Sequence, residues 1–104
     1  MIKKLLLTLV LLSIHTIAQA APFAKADATA GKKLFDQHTC NSCHASMLGG
    51  DGSTMFTRAN RKMKSPDSLK TQVQSCSTNL GLMLFEDDVE NISAYLNKNY
   101  YKFK

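Results

Sequence analysis

The residues with the clearest chemical potential lie in the stretch FDQHTCNSCHAS, where two cysteines stand three positions apart and a histidine follows the second. They are Cys40, Cys43 and His44. Two thiols and an imidazole in this order fit three kinds of site: a redox-active dithiol, part of a zinc site, or a covalent haem attachment. The rest of the chain has to decide among them.

The dithiol and zinc interpretations each lack a part that they need. A thioredoxin-like motif lies beside a βαβ pattern, but no segment here shows the sustained alternation of a strand. A structural zinc site needs four ligands. Cys40, Cys43 and Cys76 could supply three, with His44 or His38 as the fourth. His44 is adjacent to Cys43, however, and cannot easily bind the same metal ion. A local disulfide in a loop is the alternative without a cofactor.

The haem interpretation uses every position of the motif. Two cysteines can form thioethers with the haem vinyl groups, and the histidine that follows can lie under the porphyrin as the proximal iron ligand. The sequence therefore predicts one covalent haem c, attached through Cys40 and Cys43 and ligated by His44.

The first residues have the pattern of a secretory signal peptide. Lys3 and Lys4 precede a short apolar run, and the small residues Ala18 and Ala20 follow it. The run is shorter than the roughly 20 apolar residues that span a bilayer. We expect residues 1–20 to be removed, which predicts periplasmic export and a mature protein that does not span the membrane.

The mature domain, residues 21–104, is short and mildly basic. Removing two lysines from the formal charge of +5 leaves +3. No basic run is interleaved with aromatic residues, so the sequence gives no support for nucleic-acid binding. A domain of this length buries a limited core, and often needs a disulfide, a metal or a cofactor for stability.

The pattern of apolar residues predicts an all-α domain of three or four helices. Asp27 or Thr29 can cap a first helix, and Ser65 can cap another that starts with Pro66. Asn79 and Gly81 should end that helix. A final helix should bury the stripe of Phe85, Val89, Ile92, Tyr95 and Leu96. The glycine-rich segment SMLGGDGSTM should be a loop.

The stretch AGKKLFDQHTCNSCH resembles the first helix and haem motif of class I (monohaem) cytochromes c. The glycine and aromatic residue of that helix are matched by Gly31 and Phe35, and the aromatic-Leu pair of the last helix by Tyr95 and Leu96. The resemblance covers residues 28–48 and 85–100 and is weak between them. It implies three to four helices wrapped around one covalent haem, with one-electron transfer as the function.

The sixth iron ligand is not fixed by the sequence. Class I cytochromes usually use a methionine before the last helix, and Met83 has the best position here. Met47 and Met55 lie close after the motif, and Met63, in a basic segment, should be exposed. Met83 in LGLMLF could equally be a core residue. Asn79, or no protein ligand at all, is the alternative.

These observations predict a periplasmic electron carrier between larger redox proteins such as an oxidase, a reductase or a dehydrogenase. It would not be an enzyme. The alternative is a small-gas-binding haem protein with an open or weakly ligated iron. Cys76 would be left as an unpaired cysteine, either buried as a small apolar side chain or serving as a redox-active or dimer-forming thiol. A basic stretch could meet an acidic partner or simply be solvated; it comprises Arg58, Arg61, Lys62, Lys64 and Lys70.

Overall fold

The computed structural model describes residues 21–104. The predicted signal peptide lies outside the described residues, so its cleavage and the export that it implies stay predictions. No helix within residues 21–104 is long and apolar enough to cross a bilayer.

The described chain folds into five α-helices and a final π-helical turn, and none of residues 21–104 forms a β-strand. The prediction of an all-α fold is confirmed. The helices are α1 (Ala28–Gln37), α2 (Ser42–Leu48), α3 (Thr54–Thr57), α4 (Pro66–Asn79) and α5 (Glu86–Leu96), and the π-helical turn is Asn97–Tyr101.

Two of these helices, α2 and α3, partly occupy the segment that was predicted as a loop, and they bring the number of helices above the predicted three or four. The glycines still separate them, because Gly49, Gly50 and Gly52 adopt positive φ angles between the two helices. The error arose because neither helix buries an apolar stripe of its own: α2 has no buried residue, and α3 buries only Phe56.

The two terminal helices α1 and α5 cross in close contact at Gly31. A β-carbon at this position would lie 1.8 Å from the carbonyl oxygen of Asn91 on α5. The side-chain Oδ1 of Asn91 also accepts a hydrogen bond from the backbone N–H of Asp27 at 2.9 Å. The crossing therefore requires a glycine, as the resemblance implied.

The core next to this crossing is largely aromatic. Phe35 of α1 lies with its ring 5.4 Å from that of Tyr95 and 6.2 Å from that of Phe56. Leu96 is 3 % exposed and belongs to the same cluster as Phe35. Phe35 and Leu96 therefore share one core.

Most of the predicted helix ends are where the sequence placed them. Asp27 caps α1 by accepting from the N–H groups of Thr29 and Ala30, and Ser65 caps α4 ahead of Pro66. Acidic residues fill the first turn of α5, where they interact favourably with the helix dipole. Phe85 is an exception, because it is 79 % exposed rather than part of the buried stripe.

A candidate haem-binding site

One cavity of about 550 Å³ brings the motif residues together with the apolar faces of α4 and α5. Cys40, Cys43 and His44 all line it. Pockets for organic ligands typically measure 300–1,000 Å³ and are mostly apolar. Leu69 and Ile92, both buried, supply part of its apolar wall.

Cys40 is oriented by the way α1 ends. The N–H of Thr39 donates to the carbonyl oxygen of Asp36 at 3.1 Å, and the N–H of Cys40 donates to that of Phe35 at 3.1 Å. This pair of bonds is a Schellman motif, which needs a left-handed residue directly after the helix cap. Thr39 takes that conformation with φ of 49°, although it is β-branched and a glycine would adopt it more easily. The strained turn directs the half-buried Cys40 into the cavity.

His44 is held by a neighbour inside the motif. Its Nδ1 lies 2.9 Å from Oδ1 of Asn41, so a proton on Nδ1 would be donated to that oxygen and Nε2 would keep its lone pair. The amide of Asn41 in turn donates to the carbonyl oxygen of Asp51. Burial, and secondarily the positive charge of Arg58, lower the pKa of His44. The imidazole is therefore neutral at physiological pH, as an iron ligand must be.

Two further residues fix the helix that carries His44. Phe56 packs its ring edge-to-face on the imidazole, with the centroids 5.5 Å apart. Gly52 lies against the backbone of α2: a β-carbon there would be 2.9 Å from Cβ of His44 and 2.6 Å from the nitrogen of Ala45. The roles of Asn41 and Gly52 were missed in the sequence, because no pattern marks a contact across a loop.

The structure does not bring Met83 to this site. Met83 is 96 % exposed, and it is absent from the residues that line the cavity. Side-chain exposure alternates along residues 82–85, which lead into α5. Leu82 and Leu84 line the cavity, so Met83 and Phe85 face solvent. The geometry supports neither Met83 as an iron ligand nor Met83 as a core residue.

Other side chains that could serve as a sixth ligand do line the cavity. Met63 is half-buried and packs on the core, so the expectation that it is exposed is wrong. Met55 of α3 has the same surroundings. Asn79, the last residue of α4, lines the cavity too. Met55 and Met63 therefore replace Met83 as candidate sixth ligands.

Cys76 also lines the cavity, on the same face of α4 as Val73. It is half-buried, and the side-chain amide of Gln72 donates to its sulfur at 3.2 Å. Burial raises the pKa of the Cys40 thiol, and the neighbouring Cys76 adds to the effect. All three cysteines of the described chain are free thiols.

The charges around the cavity are of one sign. Arg58 and Lys62 line it, and none of its lining residues within the described chain is Asp or Glu. The residues of the predicted basic stretch have different roles. The guanidinium of Arg61 donates to two backbone carbonyls and lies over the Tyr101 ring at 4.9 Å, and Lys70 pairs with two glutamates of α5. Arg61 and Lys70 therefore act within the fold, and the stretch is not one free surface.

These features fit a haem. A porphyrin is a large apolar plate with two carboxylates at one edge, which suits an apolar cavity with cationic and no anionic lining. Nε of Arg58 is buried and without a hydrogen-bond partner within residues 21–104, so the site has a free donor for an acceptor group in the cavity. Cys40, Cys43 and His44 would hold the ring and its iron.

Comparison with known proteins gives the family. Residues 26–96, from the cap of α1 to the end of α5, match the family model described as cytochrome c oxidase, cbb3-type, subunit III. No curated protein and no solved structure matches the chain. The matched region is well over half of the 104 residues and contains all the lining residues of the cavity except Tyr101. The chain therefore belongs to this family of c-type cytochromes.

Proposed function

We propose that this protein is an exported monohaem cytochrome c that carries one electron at a time between larger redox proteins. Its family indicates haem-based electron transfer. The number of haems, their covalent attachment, the export and the partners belong to the proposal. One observation carries it: an apolar cavity collects both motif cysteines and His44.

Each residue of the motif has a separate task in this proposal. Cys40 and Cys43 attach the cofactor, and His44 binds the iron through Nε2 because Asn41 accepts the proton of Nδ1. The haem would supply reversible one-electron exchange at iron. Buried apolar side chains exclude water from the cavity, and this exclusion is one of the levers by which a protein sets the reduction potential.

The lining of the cavity, within the described chain, does not provide the carboxylates that acid–base catalysis commonly uses. Acid–base catalysis commonly uses carboxylates or a poised histidine, whereas no carboxylate lines this cavity within the described chain. Two of its thiols are assigned to attachment and His44 to the iron, which leaves His38 and Cys76 without a carboxylate partner among the lining residues of the described chain. We therefore propose an electron carrier and no catalytic turnover.

For the sixth ligand we propose Met63. It lines the cavity and lies 19 residues beyond His44, whereas Met55 lies only 11 residues beyond it and is fixed on the short helix α3. A longer connection passes more easily around the edge of a porphyrin to its opposite face. Met63→Ala should abolish the weak near-infrared sulfur-to-iron band of the oxidised protein and admit carbon monoxide to the reduced protein. Met83→Ala is the matched control and should leave both properties unchanged.

The cavity opening is also the proposed contact with a partner, which could be an oxidase, a reductase or a dehydrogenase. The segment 80–85, which connects α4 to α5, borders the cavity through Leu80, Leu82 and Leu84. Its outward side chains Met83 and Phe85 are 96 % and 79 % exposed. Exposed apolar side chains of this size typically mark an interaction surface. Electrons would then cross at the side of the cavity where the partner docks.

The experiment is to produce the exported protein in cells that attach haem c and to measure its mass and its redox titration. The mass should exceed that of residues 21–104 by one haem, and the titration should follow a one-electron Nernst curve. Cys40→Ala with Cys43→Ala should give neither result. A colourless protein that contains zinc would refute the proposal. Rapid carbon monoxide binding by the wild type, unaltered by Met63→Ala or Met55→Ala, would instead favour a gas-binding haem protein.

A further inference from the structure

One polar atom at the cavity has no partner in the folded chain. Nε of Arg58 is buried and makes no hydrogen bond with any of residues 21–104. Buried side-chain donors in native proteins nearly always have an acceptor, and a donor that carries charge is especially unfavourable without one. The side chain therefore indicates a group that completes the site.

The position of Arg58 shows where that group must lie. Arg58 caps the C-terminus of α3 through its backbone N–H, which donates to the carbonyl oxygen of Thr54 at 3.0 Å. Its side chain lines the cavity that also contains His44, and its charge is one of the two causes that lower the pKa of His44. The missing acceptor is therefore expected on the cavity side.

The neighbouring arginine provides a contrast within the same segment. The two terminal nitrogens of Arg61 donate to the backbone oxygens of Phe56 at 3.0 Å and Tyr101 at 3.3 Å. Its aromatic neighbours are Tyr101 and Phe103. The protein therefore supplies acceptors for Arg61, whereas residues 21–104 supply none for Nε of Arg58. No Asp or Glu among the lining residues can serve as the acceptor for Arg58.

We propose that Arg58 binds a propionate carboxylate of the haem, with its Nε–H as one of the donors. This inference rests on the proposed function, because it requires a haem in the cavity. A guanidinium offers a planar set of donors that matches a carboxylate, and such charge-assisted bonds are shorter and stronger than neutral ones. A carboxylate held there would be shielded from water and would fix which edge of the porphyrin lies at α3.

Arg58 is accordingly a positioning residue for the cofactor. Its positive charge beside the haem disfavours the oxidised form, which carries one more positive charge than the reduced form. Removing the charge of the half-buried Arg58 should lower the reduction potential more than removing that of an exposed residue, since water and salt screen an exposed charge more strongly. Lys64 provides the comparison, because it is exposed in the same segment and does not line the cavity.

The test compares Arg58→Gln, Arg58→Lys and the control Lys64→Gln in the haem-loaded protein. Resonance Raman spectroscopy of the reduced protein reports the propionate bending band, whose frequency depends on hydrogen bonding to the carboxylate. The band should shift in Arg58→Gln, shift less in Arg58→Lys, which keeps the charge, and stay unchanged in Lys64→Gln. The reduction potential should fall further in Arg58→Gln than in Lys64→Gln. An unchanged band, or equal falls in potential, would overturn the inference.

A measurement on the wild-type protein covers the case in which the variants fail to mature. In the ¹H–¹⁵N NMR spectrum, the Nε–H of Arg58 should exchange slowly with solvent and should shift strongly between the oxidised and reduced states. Rapid exchange, or a shift caused by added phosphate or chloride, would overturn the inference in favour of a solvent anion. If the proposed function itself fails, the measured mass shows no haem, so the two failures can be told apart.

Discussion

Replacing Gly31 by alanine tests the close crossing of the terminal helices. The added methyl carbon would lie 1.8 Å from the backbone oxygen of Asn91, 2.3 Å from its carbonyl carbon and 2.8 Å from the nitrogen of Ile92. Ordinary contacts begin at about 3.4 Å, so the shortfall is roughly 1.6 Å. All three atoms belong to the backbone of α5 and cannot turn away as a side chain could. The helix as a whole has to move.

The magnitude follows from two opposing effects. Overpacking of a well-packed core typically costs about 1–3 kcal/mol, and sometimes more. Alanine in place of glycine inside a helix recovers about 0.5–1 kcal/mol through its lower backbone entropy. Moving α5 also lengthens the 2.9 Å hydrogen bond from Asp27 N–H to Asn91. We expect a net loss of about 2 kcal/mol or more, which lowers the melting temperature of a domain this size by roughly 8–16 °C.

The assay is thermal and urea unfolding of the oxidised haem-loaded protein, followed by far-ultraviolet circular dichroism. Lys33→Ala is the matched control, because Lys33 is exposed on the same helix and such surface changes usually stay within about 0.5 kcal/mol. If Gly31→Ala is as stable as the control, the two helices do not cross at this position and the packing described above is incorrect.

Three further predictions concern the cap, the core and the cofactor. Thr39→Gly should stabilise the protein by up to about 1 kcal/mol, because glycine adopts the left-handed conformation after α1 without strain; urea unfolding measures the gain. Leu96→Ala should destabilise the protein by about 2–5 kcal/mol in the same assay, since the side chain is 3 % exposed. Changing both Cys40 and Cys43 to alanine should leave little helix in the far-ultraviolet circular dichroism spectrum, because the cavity would lose the group that fills it.

A specific result would contradict each of these three predictions. A loss of stability in Thr39→Gly would mean that the threonine side chain contributes more than its backbone strain takes away. A change below about 0.5 kcal/mol in Leu96→Ala would place that residue at the surface. A native-like helical spectrum without haem would show that the residues around the cavity pack well enough on their own.

Local chemistry allowed much of the fold to be predicted. The caps at Asp27 and Ser65 follow from side chains that can accept hydrogen bonds from the first turn of a helix. The stripe of α5 follows from helical periodicity, except at Phe85, which precedes the helix and lies in extended chain. The short helices α2 and α3 were missed because glycines surround them and neither presents an apolar period.

The candidate attachment site could be predicted from the sequence because its residues lie close together along the chain. Cys40, Cys43 and His44 fall within five consecutive positions, so their spacing alone limits what they can bind. The family match over residues 26–96 agrees with the cytochrome resemblance stated from that motif. Asn41, which orients His44, stands inside the motif but has no distinguishing signal.

The opposite side of the cavity was decided by tertiary structure. A methionine before the last helix was the natural choice of ligand, yet Met83 is exposed while its neighbours Leu82 and Leu84 line the cavity. Met63, judged exposed from its lysine neighbours, lines the cavity instead. Arg58 looked like one charge in a basic stretch, and only folding reveals a buried Nε without a hydrogen-bond partner among residues 21–104. Sequence spacing fixes groups that are neighbours along the chain, whereas contacts between distant segments depend on the direction that each side chain takes once the helices are packed.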